Sequence, residues 1–214
     1  TQGVFVCAAE DWDNTMRHPR GNLKKLLGFA GEKVTEFDAL RTGNHIDFDA
    51  EFSEECTRDL PGEDWQIPEA EIALRRDLRS ERIFSIDPPT AKDLDDALHC
   101  KRLADGNFEI GVHIANVSHF VTVGGALDKE AARRATTVYF VTHNIPMLPR
   151  VLCDNLCSLV VGVDRLSFSV IWTISPQAEV LTTWFGKTVM RSRAQLDYGT
   201  AQEMEDNPQN FDSD

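Results

Sequence analysis

The stretch that most constrains the fold is FSIDPPTAKDLDDAL, residues 84–98, which carries four carboxylates within ten positions. They are Asp87, Asp93, Asp95 and Asp96. The flanking letters IFSI and ALHC are apolar, so the segment is drawn toward the protein interior. Like charges about 4 Å apart cost roughly 1 kcal/mol in water and several times more near an interior. The pattern therefore predicts a cationic partner for these side chains.

The chemistry of that partner follows from the ligand type. Carboxylate oxygens in a tight cluster suit a hard divalent cation, so we expect Mg²⁺ or Mn²⁺. Such a cluster can hold one or two ions that activate a water and stabilise the leaving oxygen in phosphodiester cleavage. A solvated acidic loop is the alternative, and the spacing alone leaves both interpretations open.

Two other acidic-loop chemistries do not fit the spacing. An EF-hand loop beginning at Asp93 needs a glycine and then a glutamate where this chain has Leu98 and Ala104. An aspartyl-phosphate enzyme requires a D-x-D-x-T motif, and DLDDA lacks the threonine. We therefore set both aside.

Composition bounds the remaining possibilities. The 214 residues, 42% of them hydrophobic, are enough for one full domain and part of another. The net charge of -13 argues against a general nucleic-acid binder, because phosphates recruit lysine and arginine. Any contact with RNA must be local, and Lys24 and Lys25 lie in one of two basic islands, although a solvated face is their simpler interpretation.

The compartment is predicted from targeting signals and cysteine usage. No run approaches the roughly 18 apolar residues of a membrane span, and the opening TQGVFVCAAEDWDN does not resemble a signal peptide. We expect a soluble, unexported chain with no membrane partner. The cysteines are odd in number and lack a C-x-x-C pair, which predicts free thiols in a reducing compartment. They are Cys7, Cys56, Cys100, Cys153 and Cys157.

The chain is predicted to have three regions. Residues 1–48 contain short strand-like runs separated by glycine and proline, as in an incomplete antiparallel barrel. Residues 49–80 are predicted to be a helical linker, with helices over 52–60 and 67–79. The third region begins near residue 81 and carries the aspartates.

The third region is predicted to mix strands and helices without a regular repeat. Alternating apolar residues around Asp105–Gly106 predict a hairpin. Helices are expected over 126–140 and 150–159, and strands over 165–174 and 180–190. This order favours an α+β fold over a doubly wound parallel sheet.

The segment IDPPTAKDLDDAL resembles the signature I-D-P-x-x-A-x-D-x-D-D-A of the RNase II (RNB) family of exoribonucleases. Further segments follow in that family's order: GVHIANVSHFV, LDKEAARRATTVYF, PMLPRVLCDNLCSL and DRLSFSVIW. Upstream, HPRGNLKKLLGFAGEKVTE resembles the end of a second cold-shock domain. The resemblance covers residues 10–203 and is strongest to the eukaryotic Dis-like branch, with FSVIWTISPQAEVLTTWFGKTV similar to its exosome-independent cytoplasmic members.

The resemblance implies an architecture and an activity. The fold would be the end of an OB-type cold-shock barrel (1–48), the linker (49–80) and the first part of a mixed α/β RNB catalytic domain (81–214). The activity would be metal-dependent, hydrolytic 3'-to-5' degradation of single-stranded RNA to nucleoside 5'-monophosphates, in the cytoplasm. Protein partners and the preferred RNA tail are left open.

The resemblance also assigns roles to residues. Asp87, Asp93, Asp95 and Asp96 would hold Mg²⁺, with Mn²⁺ as the alternative, and Asp95 matches the position most directly tied to the chemistry. Tyr139 matches the aromatic residue that stacks on the 3'-terminal nucleotide. Stacked bases contribute about 1 to 3 kcal/mol each, so such a contact can hold a strand end without reading its sequence.

Some residues depart from the family pattern or carry weaker predictions. Asn116 stands where the family has aspartate, and we expect a local structural effect. His113 and His119 are expected to be packed or hydrogen-bonded rather than catalytic, and Arg150 either meets a phosphate or pairs locally. The family's later S-P-I-R-R segment is absent, which predicts an incomplete catalytic domain with uncovered core faces. A catalytically inactive RNA-binding member, or an inactive fragment, is therefore the alternative function.

Overall fold

The computed structural model describes residues 2–10, 12 and 15–211. The chain divides into two compact units, residues 1–49 and 50–214. The boundaries of functional domains after residues 48 and 80 stay predictions. The combination of separate helices, hairpins and a mixed sheet confirms the α+β fold class.

The first unit is built from one hairpin and one helix. Strands β1 (Gly3–Ala9) and β2 (Gly21–Phe29) pair antiparallel, and α1 (Lys33–Gly43) follows. The prediction of strand-like runs throughout this unit is therefore wrong for α1. Glycine stands only at the ends of that segment, at Gly31 and Gly43, and its uninterrupted interior can complete consecutive helical turns.

The second unit contains four α-helices and eight strands among its described residues. The helices are α2 (Glu54–Thr57), α3 (Glu69–Ile72), α4 (Ala126–Arg134) and α5 (Tyr198–Asp206). The strands are β3 (Arg76–Asp77), β4 (Ile83–Ile86), β5 (Asp96–Arg102), β6 (Phe108–Ala115), β7 (Val138–Tyr139), β8 (Asn144–Ile145), β9 (Asp164–Ile174) and β10 (Val180–Leu196).

Six of these strands form one curved sheet in the order β3-β10-β4-β5-β6-β9. The long strand β10 closes strands β4, β5, β6 and β9 into a ring, because its first part pairs antiparallel with β9 and its last residues pair parallel with β4. The predicted hairpin is confirmed as β5 and β6, and Gly106 adopts a φ of 88° in its turn, where a side chain would be strained. The sheet thus curls around one buried face.

The inner face of the sheet is buried, whereas the outer face is partly exposed to solvent. Residues directly opposite one another in a ladder share a face, so Ala97, His113 and Ser169 lie on the inner one, and all three are buried. On the outer face the neighbours Ile114 and Phe168 are 47% and 43% exposed. An apolar sheet face of this kind fits the expectation of uncovered core surface.

The core between the inner face and the helices brings distant segments together. Leu78, Ile83, Leu94 and Met190 are almost fully buried there, beside Leu152 of a π-helical segment (Val151–Leu156). That segment replaces the longer helix predicted over 150–159. Burying Leu94 in this cluster fixes the loop that carries the aspartates to the core.

Helix α4 is shorter than the predicted helix over 126–140. It ends at Arg134, and Ala135 adopts a φ of 64°. The residues that follow α4 include three consecutive β-branched ones, Thr136, Thr137 and Val138. Such a run disfavours a helix and suits an extended chain. Tyr139 consequently lies on the short strand β7 rather than on a helix.

The helix predicted over 67–79 is also wrong in length, because α3 is a single turn. Arg75 turns inward and donates from Nη1 to the carbonyl oxygens of Ser167 and Thr188, at 3.3 and 3.2 Å. Arg76–Asp77 then joins the sheet as β3, parallel to β10. Tertiary hydrogen bonds in a buried site outweigh the local helix preference.

All five cysteines are free thiols, as predicted, and Cys56 and Cys157 are buried. Within the described ranges no helix has the length and apolar character needed to cross a membrane.

Candidate active site

The predicted site residues meet at a cavity of about 750 Å³ beside the end of β4 and the start of β5. Its acidic wall carries Asp87, Asp93 and Asp95, and Tyr139 adjoins them. The loop between the two strands positions the carboxylates, and the π-helical segment and the β7–β8 hairpin supply other lining residues. Three of the four predicted aspartates therefore line one cavity.

Asp87 follows β4 and is held by its backbone. Its N–H donates to the Leu196 carbonyl oxygen at 2.9 Å. Its Oδ2 is buried and has no hydrogen-bond partner in the described part of the chain. A buried carboxylate oxygen without a partner carries a large desolvation cost, so this atom is suited to accept a cation.

Asp93 is linked to the predicted RNA-stacking residue. The Tyr139 hydroxyl donates to Asp93 Oδ2 at 2.8 Å. This hydrogen bond is the main cause that raises the pKa of Tyr139 to about 12, so the phenol remains a donor at neutral pH. The residue as a whole is 67% exposed, which leaves its aromatic ring accessible to a ligand in the cavity.

Asp95 lies at the centre of the acidic wall. Solvent reaches its side chain, but the surrounding protein desolvates the carboxylate and raises its pKa. The negative charges of Asp93, Asp96 and Asp87 raise that pKa further, in this order. The predicted repulsion within the cluster is therefore present, and a cation bound among these groups would relieve it.

Asp96 occupies a different position from the other three. It is the first residue of β5, is exposed, and pairs across the sheet with Ile114 rather than lining the cavity. Among the described residues, no three His, Cys, Asp or Glu side chains lie close enough together to form a ready metal-binding group. The roles of all four aspartates as metal ligands stay predictions.

The aspartate loop is anchored by Ser158, which the sequence did not single out. Its buried hydroxyl donates to the Lys92 carbonyl oxygen at 2.6 Å and accepts from the Leu94 N–H at 3.0 Å. These two bonds flank Asp93 in the sequence. Ser158 is separated from them by more than sixty residues, so no local signal could have identified this contact.

Another part of the cavity lining is polar and carries a cation. Arg150 donates from Nη2 to Asn144 Oδ1 at 2.8 Å, and its Nη1 lies 3.3 Å from Asp154 Oδ2. All three residues line the cavity, and the Arg150 side chain is 53% exposed. Local pairing of Arg150, one of its two predicted roles, is therefore observed.

His113 is hydrogen-bonded and His119 is packed against aromatic rings, as predicted. His99 Nδ1 and His113 Nε2 share a hydrogen bond of 2.8 Å inside the sheet, and His113 Nδ1 lies 2.7 Å from Ser169 Oγ. His119 packs against the rings of Trp65 and Phe120. None of these histidines lines the aspartate cavity.

Asn116 has the structural role that its sequence position suggested. It is buried, and its Oδ1 accepts from Arg75 Nη2 at 2.9 Å, while its Nδ2 donates to Ser118 Oγ at 2.9 Å. Arg75 also forms an ion pair with Glu71 at 2.7 Å. The amide thus supplies a neutral acceptor to an arginine whose charge is already compensated.

Comparison with known families agrees with this fold and site. Residues 75–214 match the RNB domain, and residues 1–45 match the Dis3-like cold-shock domain 2. The chain belongs to the RNB family, which confirms the resemblance drawn from the aspartate motif and the segments that follow it.

Two relatives place the chain within the eukaryotic Dis-like branch. It is 50% identical over 206 residues to DIS3-like exonuclease 2 of Xenopus tropicalis, covering 96% of this chain and 25% of that protein. It is 46% identical over 198 residues to the human exosome complex exonuclease RRP44, covering 92% of this chain and 21% of that protein. The chain thus spans about a quarter of the length of these relatives.

Solved structures share the fold at low sequence identity. RNase R of Mycoplasma genitalium in complex with ribose-methylated single-stranded RNA aligns with a TM-score of 0.81 at 23% identity, over 100% of this chain and 33% of that one. Yeast Ssd1, a pseudonuclease, aligns with a TM-score of 0.78 at 24% identity, over 96% and 26%. Both similarities concern the fold alone.

Proposed function

We propose that this chain is the aspartate-bearing part of a hydrolytic 3'-to-5' exoribonuclease that degrades single-stranded RNA to nucleoside 5'-monophosphates. The observation that carries the proposal is the cavity in which Asp87, Asp93 and Asp95 face an accessible Tyr139. Membership of the RNB family and relatives named as exonucleases support it.

Mg²⁺, or alternatively Mn²⁺, is proposed as the cofactor, held by Asp87, Asp93 and Asp95 with Asp96 beside them. The donor chemistry supports this because the ligands are all oxygens, Asp87 Oδ2 lacks a partner in the described structure, and the carboxylates repel one another. When bound, the cation would supply an activated water and stabilise the charge on the leaving oxygen.

The protein's own groups would bind and orient the strand end. The exposed ring of Tyr139 is proposed to stack on the 3'-terminal base, a contact worth about 1 to 3 kcal/mol. Its hydroxyl, by donating to Asp93, holds that carboxylate in place and fixes the ring beside the acidic wall. Stacking is tolerant of base identity, which suits degradation of any sequence.

Single-stranded RNA is the proposed partner. RNase R, whose fold matches, was solved with single-stranded and with double-stranded RNA. Because the present chain carries a net charge of -13, RNA binding should be concentrated at the cavity rather than spread over the surface. A cytoplasmic location is also proposed, from likeness to the exosome-independent branch, and microscopy of a fluorescently tagged parent protein would test it.

RNA binding without catalysis is the second candidate function. The observation that favours it is that no three described acidic, histidine or cysteine side chains form a ready metal group. The two candidates differ in one result, the shortening of RNA.

The test is degradation of a 3'-overhanging RNA labelled at its 5' end, in Mg²⁺ and in EDTA. Shortening from the 3' end that requires Mg²⁺ and disappears in Asp95→Asn supports the exoribonuclease. RNA binding without shortening, both here and in a protein extended over the remaining length of the relatives, supports the second candidate. Shortening that survives Asp95→Asn would refute the role of Asp95.

A further inference from the structure

The lining of the aspartate cavity includes an arginine, Arg150, that is oriented by a hydrogen bond to Asn144. We propose that Arg150, held by Asn144, binds a backbone phosphate of the RNA strand whose terminal base stacks on Tyr139. This inference rests on the proposed function and adds a substrate-binding residue to it.

The first support is the register of the β7–β8 hairpin. Tyr139 and Asn144 are directly opposite one another in this antiparallel pair, so their side chains share one face. The Tyr139 hydroxyl reaches the acidic wall through Asp93, and the Asn144 amide oxygen reaches Arg150. One cross-strand pair of residues thus connects the proposed stacking ring to the cation.

The second support is the hydrogen bonding of the Arg150 guanidinium. Arginine has five N–H donors, and the structure shows one directed at Asn144 and one at Asp154. The Asp154 contact is long, at 3.3 Å, and involves an exposed pair, so it is weak and exchangeable. The remaining donors of this half-exposed side chain are available to a phosphate, whose oxygens suit the planar fork.

The third support is the charge of the residues that line the cavity. A phosphodiester that approaches Asp87, Asp93 and Asp95 meets three carboxylates, and a cation that lines the same cavity would offset that repulsion. Lys92 also lines the cavity, but its amino group has no hydrogen bond that fixes its direction in the described structure. Arg150 is oriented by Asn144, which makes it the better placed of the two.

The experiment measures the salt dependence of binding of 5'-fluorescein-labelled oligo(A) and oligo(U) to the full chain. An Asp95→Asn background prevents shortening during the assay. For single-stranded nucleic acid, each phosphate contact contributes about 0.7 to the slope of log K against log salt. We expect Arg150→Gln to weaken binding of both RNAs alike and to reduce the slope by about 0.7.

Three further variants make the result specific. Arg102→Gln removes the same charge from an exposed position at the far end of β5, outside the cavity, and should leave the slope unchanged. Arg150→Lys keeps the charge and should retain most of the slope. Asn144→Ala removes the group that orients Arg150 and should weaken binding with less change in slope.

The outcomes separate this inference from the proposed function. If Tyr139→Ala weakens binding about tenfold but Arg150→Gln has no effect, the RNA site stands and the inference is wrong. Equal slope changes in Arg150→Gln and Arg102→Gln would show a general charge effect and would also overturn the inference. If neither Tyr139→Ala nor Arg150→Gln changes binding, RNA does not bind in this cavity and both proposals fail.

Discussion

His113 makes the stability of this fold sensitive to mild acid. It is 0% exposed, between His99 and Ser169, at hydrogen-bond distances of 2.8 and 2.7 Å. Burial lowers the pKa of His113 to about 3, and the charges of His99 and Arg76 contribute in the same direction. The folded protein therefore keeps this imidazole neutral where an exposed one would be protonated.

The free-energy consequence follows from linkage. The unfolded chain has a histidine pKa of about 6.5, so protonation favours the unfolded state. The contribution of His113 to stability is complete above pH 6.5 and is lost as the pH falls toward 3. At pH 5 the loss is about 2 kcal/mol, at 1.36 kcal/mol per pH unit below the unfolded pKa.

The assay is urea unfolding followed by tryptophan fluorescence between pH 7.5 and 5, in the wild type and in His113→Gln. Glutamine keeps one donor and one acceptor but does not titrate. The difference in unfolding free energy between the two proteins should shrink by about 2 kcal/mol from pH 7.5 to pH 5. Histidine NMR should show His113 still neutral at pH 5.

The control is His18→Gln, at an exposed histidine, which should follow the wild type at every pH. Carboxylates titrate in all three proteins, so they cancel in the comparison. An identical pH dependence in wild type and His113→Gln, or an imidazolium signal from His113 at pH 5, would show that burial does not keep His113 neutral in the folded protein.

Three further predictions concern the aspartate loop, the buried arginine and the outer sheet face. Ser158→Ala should cost about 2 kcal/mol in urea unfolding, because it leaves buried backbone groups unpaired, whereas Ser158→Thr should cost less. Asn116→Ala should cost about 1 to 3 kcal/mol by removing an acceptor from Arg75, and Asn116→Asp should stay within about 1 kcal/mol of the wild type. Phe168→Glu should reduce concentration-dependent light scattering, because it places a charge on the exposed apolar face; unchanged scattering would exclude that face as the cause of association.

Local patterns in the sequence predicted the sheet better than the helices. The β5–β6 hairpin follows from alternation and from the turn at Asp105–Gly106, both of which act over a few residues. The short α3 was not predictable in this way, because Arg75 is drawn inward by carbonyl groups about one hundred residues away. Contacts of this kind leave no periodic signal.

In the candidate site, too, local sequence patterns were predictive and contacts between distant residues were not. Spacing grouped Asp87, Asp93, Asp95 and Asp96, of which the first three line the cavity. The resemblance added Tyr139, whose hydroxyl contacts Asp93. Asp95 lines the cavity, whereas its neighbour Asp96, the first residue of β5, does not, which linear proximity did not reveal. Asn144 and Ser158 were missed because their importance depends on pairing and packing across the chain.

Mn²⁺ binding to this chain, followed by electron paramagnetic resonance, tests whether the aspartate cavity holds a metal ion. We expect a bound ion that Mg²⁺ displaces and that is lost in Asp87→Asn and Asp95→Asn, but retained in Asp105→Asn on the distant hairpin turn. Equal binding by all of these proteins, or none by the wild type, would contradict a metal site at the aspartate cavity.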